Sequence, residues 1–308
     1  MAWKELGQIV TEFERLDGPF ALATLVKAVG STYRQPGARM LITKGKTYVG
    51  RLSAGCIEEE IVDLAQAVIL SGKPTRCSFN LRSRFACDGS IEVLIERLVK
   101  PNALLDGLVR VLVDRQPIAV STNYRLTDAA PGTRPIAVPV REHEEEFVQE
   151  ILAPIRLIIF GDYFDAEPVA HLGNYLGWQV EIVIEAHKLP TGDARSACIV
   201  MSHHFGRDIA ALKQVGAGNY GYVGLLGPRK RKQLLMNHVI DEGYPPNSLS
   251  ALHTPAGLDI GSETPEEIAV AIIAEVQAVL TGRTGRSLRE RAAPIHTLEE
   301  PTFCNELR

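Results

Sequence analysis

The chain has 308 residues, 45% of them apolar and 23% charged, with a formal net charge of −4. That length predicts two domains of about 150 residues each, with enough apolar mass for more than one core. The mild negative charge gives no basis for binding nucleic acid or an anionic membrane. Residues 1–10 are an amphipathic start rather than a basic segment followed by an apolar one, so no export signal is expected. No apolar run approaches the ~20 residues of a membrane span. Five cysteines, Cys56, Cys77, Cys87, Cys198 and Cys304, are widely spaced and none forms a CxxC pair. They predict reduced thiols in a cytoplasmic protein rather than a disulfide framework.

In chain order, Trp3, Leu6, Ile9, Val10, Phe13 and Leu16 recur at helical spacing until Gly18 and Pro19 stop them. Residues 20–29 read as a buried strand, and residues 30–37 as a loop by their glycine, serine and proline. Short strands over 39–43 and 47–51 flank Lys44, Gly45 and Lys46, a hairpin signal. A helix follows Cys56, with Ile57, Ile61, Leu64, Ala65 and Val68 on its apolar face and Gly72 at its end. Strands over 76–81 and 91–98, a helix over 104–114 and a strand over 118–124 complete an α+β domain, residues 1–150. The charge-rich stretch 141–150 predicts the boundary. Beyond it, the apolar run 156–160 has the character of a central parallel strand. Helices over 166–176, 206–215 and 229–241 then alternate with strands over 179–184, 197–201 and 220–225. That rhythm predicts a Rossmann-like parallel-sheet domain, residues 151–282, with helices on both faces. Thr264, Pro265, Glu266 and Glu267 read as a capping box with proline at the first helical position. Residues 283–308 form a polar tail. The fold class is therefore α/β, an α+β domain followed by a Rossmann-like one.

Several residues carry candidate chemistry. A helix starting at Ile57 places Cys56, preceded by Gly55, at its N-terminal end, where free N–H groups and the helix dipole favour thiolate. Thiolate binds soft metals or accepts sulfur, although Glu58, Glu59 and Glu60 oppose it with negative charge. The alternative is a small half-buried thiol without a role. Cys87 lies in a turn with Asp88 and Gly89, whereas Cys77 and Cys198 fall in strands and read as core. Arg34 and Arg39, in and after the 30–37 loop, have guanidinium forks suited to a phosphate or a pterin edge, or are simply solvated.

In the second domain, the turn Gly161, Asp162, Tyr163, Phe164 stands where a dinucleotide fingerprint would read G-x-G-x-x-G. Tyr163 replaces the glycine that lets backbone approach pyrophosphate, and Asp162 adds negative charge. The site reads as a degraded nucleotide site. Glu185, after the second strand, could address a ribose hydroxyl, but its spacing fits only loosely. His203 and His204 follow the 197–201 strand, at the edge where parallel sheets bind ligands. Neighbours point apart, so at most one faces a cleft to hydrogen-bond or ligate; the alternative is a loop histidine that caps a helix. Arg229, Lys230 and Arg231 crowd a helix start, the wrong end for cations. The mismatch points to an anionic ligand or partner, or to a solvated basic patch.

Taken together, these residues resemble the XdhC/CoxI family of xanthine dehydrogenase accessory proteins. The resemblance rests on Gly30-Ser31 with Arg34, on residues 36–40, on Gly55-Cys56-Ile57-Glu58 and on Cys87-Asp88-Gly89. It continues through 158–161, 165–168, 176–178, His203 with Asp208, 222–227 with Arg229 and Lys230, 257–261 and 264–269. It runs in one order over nearly the whole chain. It implies two domains, the second Rossmann-like, and an accessory role rather than metabolite turnover. Such proteins bind molybdenum cofactor (molybdopterin), cooperate with a cysteine desulfurase so that a sulfido ligand is installed, and pass the cofactor to a xanthine dehydrogenase-type apoenzyme. Carried over, Cys56 is the contact to molybdenum or transferred sulfur, Cys87 is second, and Arg229 or Lys230 suits the pterin phosphate. Two departures stand out: the family's Gly-Ala-Gly-His turn is replaced by residues 161–164, and its Asp-x-Arg stretch by Glu185-Ala186-His187. Both count against NAD(P). An NAD(P)-dependent oxidoreductase is the alternative, and a docking factor without ligand a third. A second copy of the chain is carried as a candidate partner.

Overall fold

The computed structural model describes residues 3–81, 89–128, 130–137, 145–242 and 252–290, and of Arg229 and Lys232 the backbone alone. Two compact units meet in sequence between Ala153 and Pro154.

The first unit contains α1 (Trp3–Arg15), β1 (Phe20–Gly30), β2 (Arg39–Ile42), β3 (Tyr48–Gly50), α2 (Glu58–Ser71), β4 (Thr75–Asn80), β5 (Gly89–Leu98), α3 (Ala103–Asp114), β6 (Ile118–Asn123), β7 (Gly132–Ile136) and β8 (Glu146–Ile151). An antiparallel sheet runs in the order β3-β2-β1-β5-β4, and a smaller one in the order β7-β6-β8. On one face of the larger sheet, Ala23, Leu25, Met40 and Ile95 pack against Ile61, Ala65 and Val68 of α2. On the other, Leu22, Leu41 and Leu98 meet α1, α3 and Val120 and Ile151 of the smaller sheet. Residues 20–26 of β1 are all buried, covered on both faces, which explains why that stretch is apolar but for Thr24.

Within the charge-rich stretch read as marking the domain boundary, a strand begins at Glu146. β8 pairs with β6 from Asn123↔Glu146 to Ile118↔Ile151. Its sequence looks polar because Gln149, between Phe147 and Ile151 on the inward side, accepts a hydrogen bond from Arg39 at 2.9 Å. β7 was not expected either. It carries Pro135 and lies at a sheet edge, where a missing N–H breaks no ladder. The Trp3 indole donates to the Leu152 carbonyl at 2.8 Å and ties the first helix to the end of the unit.

The second unit contains β9 (Arg156–Phe160), α4 (Ala166–Tyr175), β10 (Gln179–Val183), a single 3-10 turn (Ala186–Lys188), β11 (Ser196–Val200), α5 (Phe205–Gly216), β12 (Tyr222–Leu225), α6 (Arg229–Asp241), β13 (Leu252–His253) and α7 (Pro265–Leu280). The sheet is parallel throughout, in the order β10-β9-β11-β12-β13. Ile158 and Phe160 pack with Leu212 of α5 and Leu235 of α6. Leu157 and Ile159 pack with Val169 of α4 and Ile272 of α7. Burial on both faces is what the apolar run 156–160 predicts. The two-residue β13 is too short to show any periodicity. The expected capping box forms: Glu267 N donates to Thr264 Oγ1 at 3.3 Å, and Thr264 N to Glu267 Oε2 at 3.1 Å. The chain steps from β9 to β10 on one side, then returns past β9 to β11 on the other. The carboxyl ends of β9 and β11 therefore flank a topological switch point, where open α/β sheets bind ligands. No helix among the described residues is long and apolar enough to cross a membrane.

Candidate functional site

Cys56 sits on a turn whose polar groups are almost wholly spent on each other. Ile57 is the residue before helix α2, and Glu58 is its first residue. The Glu58 side chain folds back into the turn and is only 2% exposed. Its carboxylate accepts from Leu52 N at 3.2 Å, Ser53 N at 2.8 Å, Ser53 Oγ at 2.6 Å and Ile57 N at 3.2 Å. Ser53 Oγ in turn accepts from Gly55 N at 3.1 Å and Cys56 N at 2.9 Å. Burial alone would push the Glu58 carboxyl up. The hydrogen bonds from the Ser53 hydroxyl and the Ser53 and Ile57 amides outweigh it and hold the group below the ordinary carboxylate range. Gly55 has φ +110° and nothing within 4 Å of where a Cβ would stand, so it serves backbone conformation, not close packing.

This corrects the expectation of free N–H groups beneath the thiol. The amides of residues 55, 56 and 57 are already bonded to Ser53 and Glu58. The turn instead holds Cys56 outward and in place. Among the described cysteines it alone is exposed. Cys77 is half-buried, and burial, with Glu60 nearby, pushes its thiol up to about 12. Cys198 is fully buried and burial pushes it up to about 12 as well. Such thiols are inert. Cys87 and Cys304 lie outside the described residues.

The same end of the larger sheet gathers the other loops singled out by the sequence. β1 ends at Gly30 against Gly89, the first residue of β5, and Ser90 pairs with Asn80, the last of β4. The loop before Arg39 comes close enough to Glu58 for its charge to act on Arg34. Arg34 itself is locked bidentately onto Glu5, Nη1 to Oε1 at 2.8 Å and Nη2 to Oε2 at 2.5 Å. Arg39 is 2% exposed and runs under the loop, donating to the Gly37 carbonyl at 3.1 Å and to Gln149. Its Nε and Nη2 have no partner among the described residues. Burial lowers its pKa to about 10, opposed by the charge of Glu96. Both arginines thus build the loop.

At the switch point of the second unit, the two histidines differ in setting. His204 caps α5, its Nδ1 accepting from Arg207 N at 3.4 Å. His203 adopts φ +55°, rare for a residue with a Cβ, and its Nε2 lies 2.7 Å from Asp165 Oδ2. The Asp165 side chain is 11% exposed and that of His203 47%. The Tyr163 ring stands edge-on to His203 with centroids 5.3 Å apart. Next to the pair, Ser202 Oγ donates to Asp208 Oδ1 at 2.5 Å, and Arg231 Nη2 to Asp208 Oδ2 at 2.7 Å. Asp208 is 1% exposed. It answers part of the charge mismatch at the start of α6, because one of the three cations has an anionic partner within the chain. Lys230 is exposed, and nothing is described of the Arg229 side chain.

Gly161 has φ +132°, and a Cβ there would stand 2.7 Å from the Met201 carbonyl oxygen. Its glycine serves the approach of β9 to β11 rather than that of a pyrophosphate. Glu185 is paired with Lys188 at 2.5 Å. Sequence reasoning missed Ser53, Glu5 and the tie between Asp165 and His203. One signal was legible: Glu58 falls three and four residues before Ile61 and Val62, an acid on the buried side of its helix.

Among the described residues no group of three or more histidine, cysteine or acidic side chains forms a metal site. The fold and these sites define a two-unit chain. Its first unit presents one open thiol among the described cysteines, and its second is a Rossmann-type domain without the glycines of a dinucleotide cradle. Comparison with known proteins narrows the class. The profile of the XdhC and CoxI family matches residues 15–80, and that of the XdhC Rossmann domain residues 157–276. The chain belongs to the XdhC/CoxI family. A Bacillus subtilis protein named as a probable subunit of xanthine dehydrogenase is 27% identical, over 83% of this chain and 91% of that protein. The molybdenum cofactor insertion chaperone PaoD of Escherichia coli is 23% identical, over 84% and 82%. A crystal structure described as that of a xanthine dehydrogenase from Bacillus halodurans shares the fold, with TM-score 0.74 and 23% identity over 91% of this chain and 97% of that one.

Proposed function

We propose that this chain is a molybdenum cofactor insertion chaperone for a xanthine dehydrogenase-type molybdenum hydroxylase, with Cys56 as its contact to the metal or to the sulfur destined for it. The observation that carries this reading is the exposed Cys56 on a turn held by six hydrogen bonds. A sulfur donor suits a soft metal centre or a sulfur in transit. A turn ordered in advance loses less entropy when it binds. Glu58 and Ser53 orient the turn, while Arg34, locked onto Glu5, and Arg39, buried under the neighbouring loop, shape that loop. A cysteine desulfurase supplies the sulfur in this reading, and Cys87 is a second candidate to receive it. Arg229 and Lys230, in the first turn of α6, are a separate candidate for an anionic group within the second unit. The relatives named for cofactor insertion and for xanthine dehydrogenase support the assignment.

The test is transfer. Cofactor-loaded protein mixed with a cofactor-free hydroxylase should restore activity faster than free cofactor does, and Cys56→Ser should abolish the advantage. Equal rates for wild type, Cys56→Ser and free cofactor would contradict it.

A further inference from the structure

The Asp165–His203 pair is not used by the Cys56 reading, and its surroundings specify a ligand. The pair lies at the carboxyl ends of β9 and β11, the switch point of the sheet. In the neutral tautomer that directs Nε2–H at Asp165 Oδ2, Nδ1 carries the lone pair on the half-exposed ring. The pair therefore offers a hydrogen-bond acceptor. Asp165 Oδ1 is buried and has no partner among the described residues, a second acceptor left open.

Holding His203 in this place costs backbone strain, since φ +55° is unfavourable for a residue with a Cβ. The neighbourhood braces it. Ser202 is tied into Asp208, and Tyr163 stands edge-on to the imidazole.

Charge and surface narrow the class further. Asp162 and Asp165 flank the turn, and Arg207 is turned to the Ile184 carbonyl, 2.9 Å, with Asp162 at 3.8 Å. A phosphate would meet carboxylates first. The half-exposed Tyr163 ring and the His203 imidazole meet edge to face, two flat surfaces at the pair. They favour a flat ring.

We infer that the Asp165–His203 pair binds a neutral planar heterocycle through an N–H donor edge, as a pterin or purine base presents. The site accepts the ring and not a pyrophosphate, which separates it from the dinucleotide use of the same fold. The choice of pterin over purine rests on the proposed function; the Asp165–His203 geometry does not.

Pterin itself is the probe, followed by its own fluorescence, with 3-methylpterin as the analogue that lacks the ring N–H. The proteins are the full-length wild type, His203→Gly, Asp165→Asn and Cys56→Ser. Glycine adopts φ +55° freely, so His203→Gly removes the ring without straining the turn. Wild type and Cys56→Ser should bind pterin about tenfold more tightly than 3-methylpterin, and the two changes at the pair should each erase that preference. The unfolding temperature checks that each variant is folded, and Asp165→Asn decides the matter if His203→Gly is not. Absence of pterin binding by wild type, equal affinity for the two pterins, or full preference in both His203→Gly and Asp165→Asn overturns the inference. A preference lost in Cys56→Ser alone moves the ring to the first unit and overturns it too. Cofactor transfer can fail while this preference persists, so the two readings fall separately.

Discussion

The Cys56 turn and the switch point of the second unit hold their candidate atoms in opposite ways. Around Cys56 the backbone amides and the Glu58 carboxylate satisfy one another, and one sulfur is left outside the network. Around His203 the backbone is strained, an acceptor of Asp165 is left open, and the ring is half exposed. A closed network with one projecting atom suits a site that holds or relays a soft atom. An open acceptor pair suits a site completed by a donor from its ligand. The same family scaffold therefore carries two different kinds of readiness, one in each unit.

Changes confined to one unit sharpen this contrast, and the two tryptophans report on them separately: Trp3 is buried in the first unit and Trp178 in the second. The largest effect is expected from Gly161→Ala. Alanine cannot adopt φ +132° without strain, and its Cβ would collide with the Met201 carbonyl. A loss of about 3 kcal/mol is expected in denaturant unfolding followed at Trp178. An unchanged midpoint would mean that the β9 and β11 ends can part at little cost.

Next comes Glu58→Ala, which leaves the amides of Leu52, Ser53 and Ile57 without their acceptor. The expected cost is about 2 kcal/mol, read at Trp3. Glu58→Gln gives the matching pH test. The folded-state carboxyl titrates below its unfolded value, so its stabilisation is present above about pH 4.3 and is lost as pH falls through the folded value. The wild-type acid limb should therefore be steeper than that of Glu58→Gln; coincident limbs would remove Glu58 from the account of the turn. The smallest effect is Thr264→Ala at the capping box of α7, about 1 kcal/mol by thermal unfolding. A shift several times larger would show that the cap also carries packing.

Most of the fold was legible because burial writes itself into the chain. Residues 20–26 of β1, but for Thr24, and residues 157–160 of β9 are apolar because both faces are covered, and α7 announces its start through Thr264, Pro265 and Glu267. β8 was hidden because its inward side includes Gln149, a partner for a buried arginine 110 residues earlier. β7 was hidden by Pro135, tolerated only because the strand is an edge. The sites were legible one residue at a time. Cys56 and His203 stood out by type and position, but their partners did not. Glu58 acts through a fold-back onto Ser53 that depends on the helix beginning one residue later than its apolar pattern suggests. Asp165 meets His203 across 38 positions, brought together by the parallel pairing of β9 with β11.

The most direct test of the central claim is the cofactor content of the purified chain. Wild type and Cys56→Ser are produced with abundant molybdenum cofactor and assayed for molybdenum and pterin after gel filtration. Near-equimolar cofactor in wild type and little in Cys56→Ser, with the two proteins equally stable, is the expected result. Equal loading of both, or none in either, would contradict a cofactor carrier centred on Cys56.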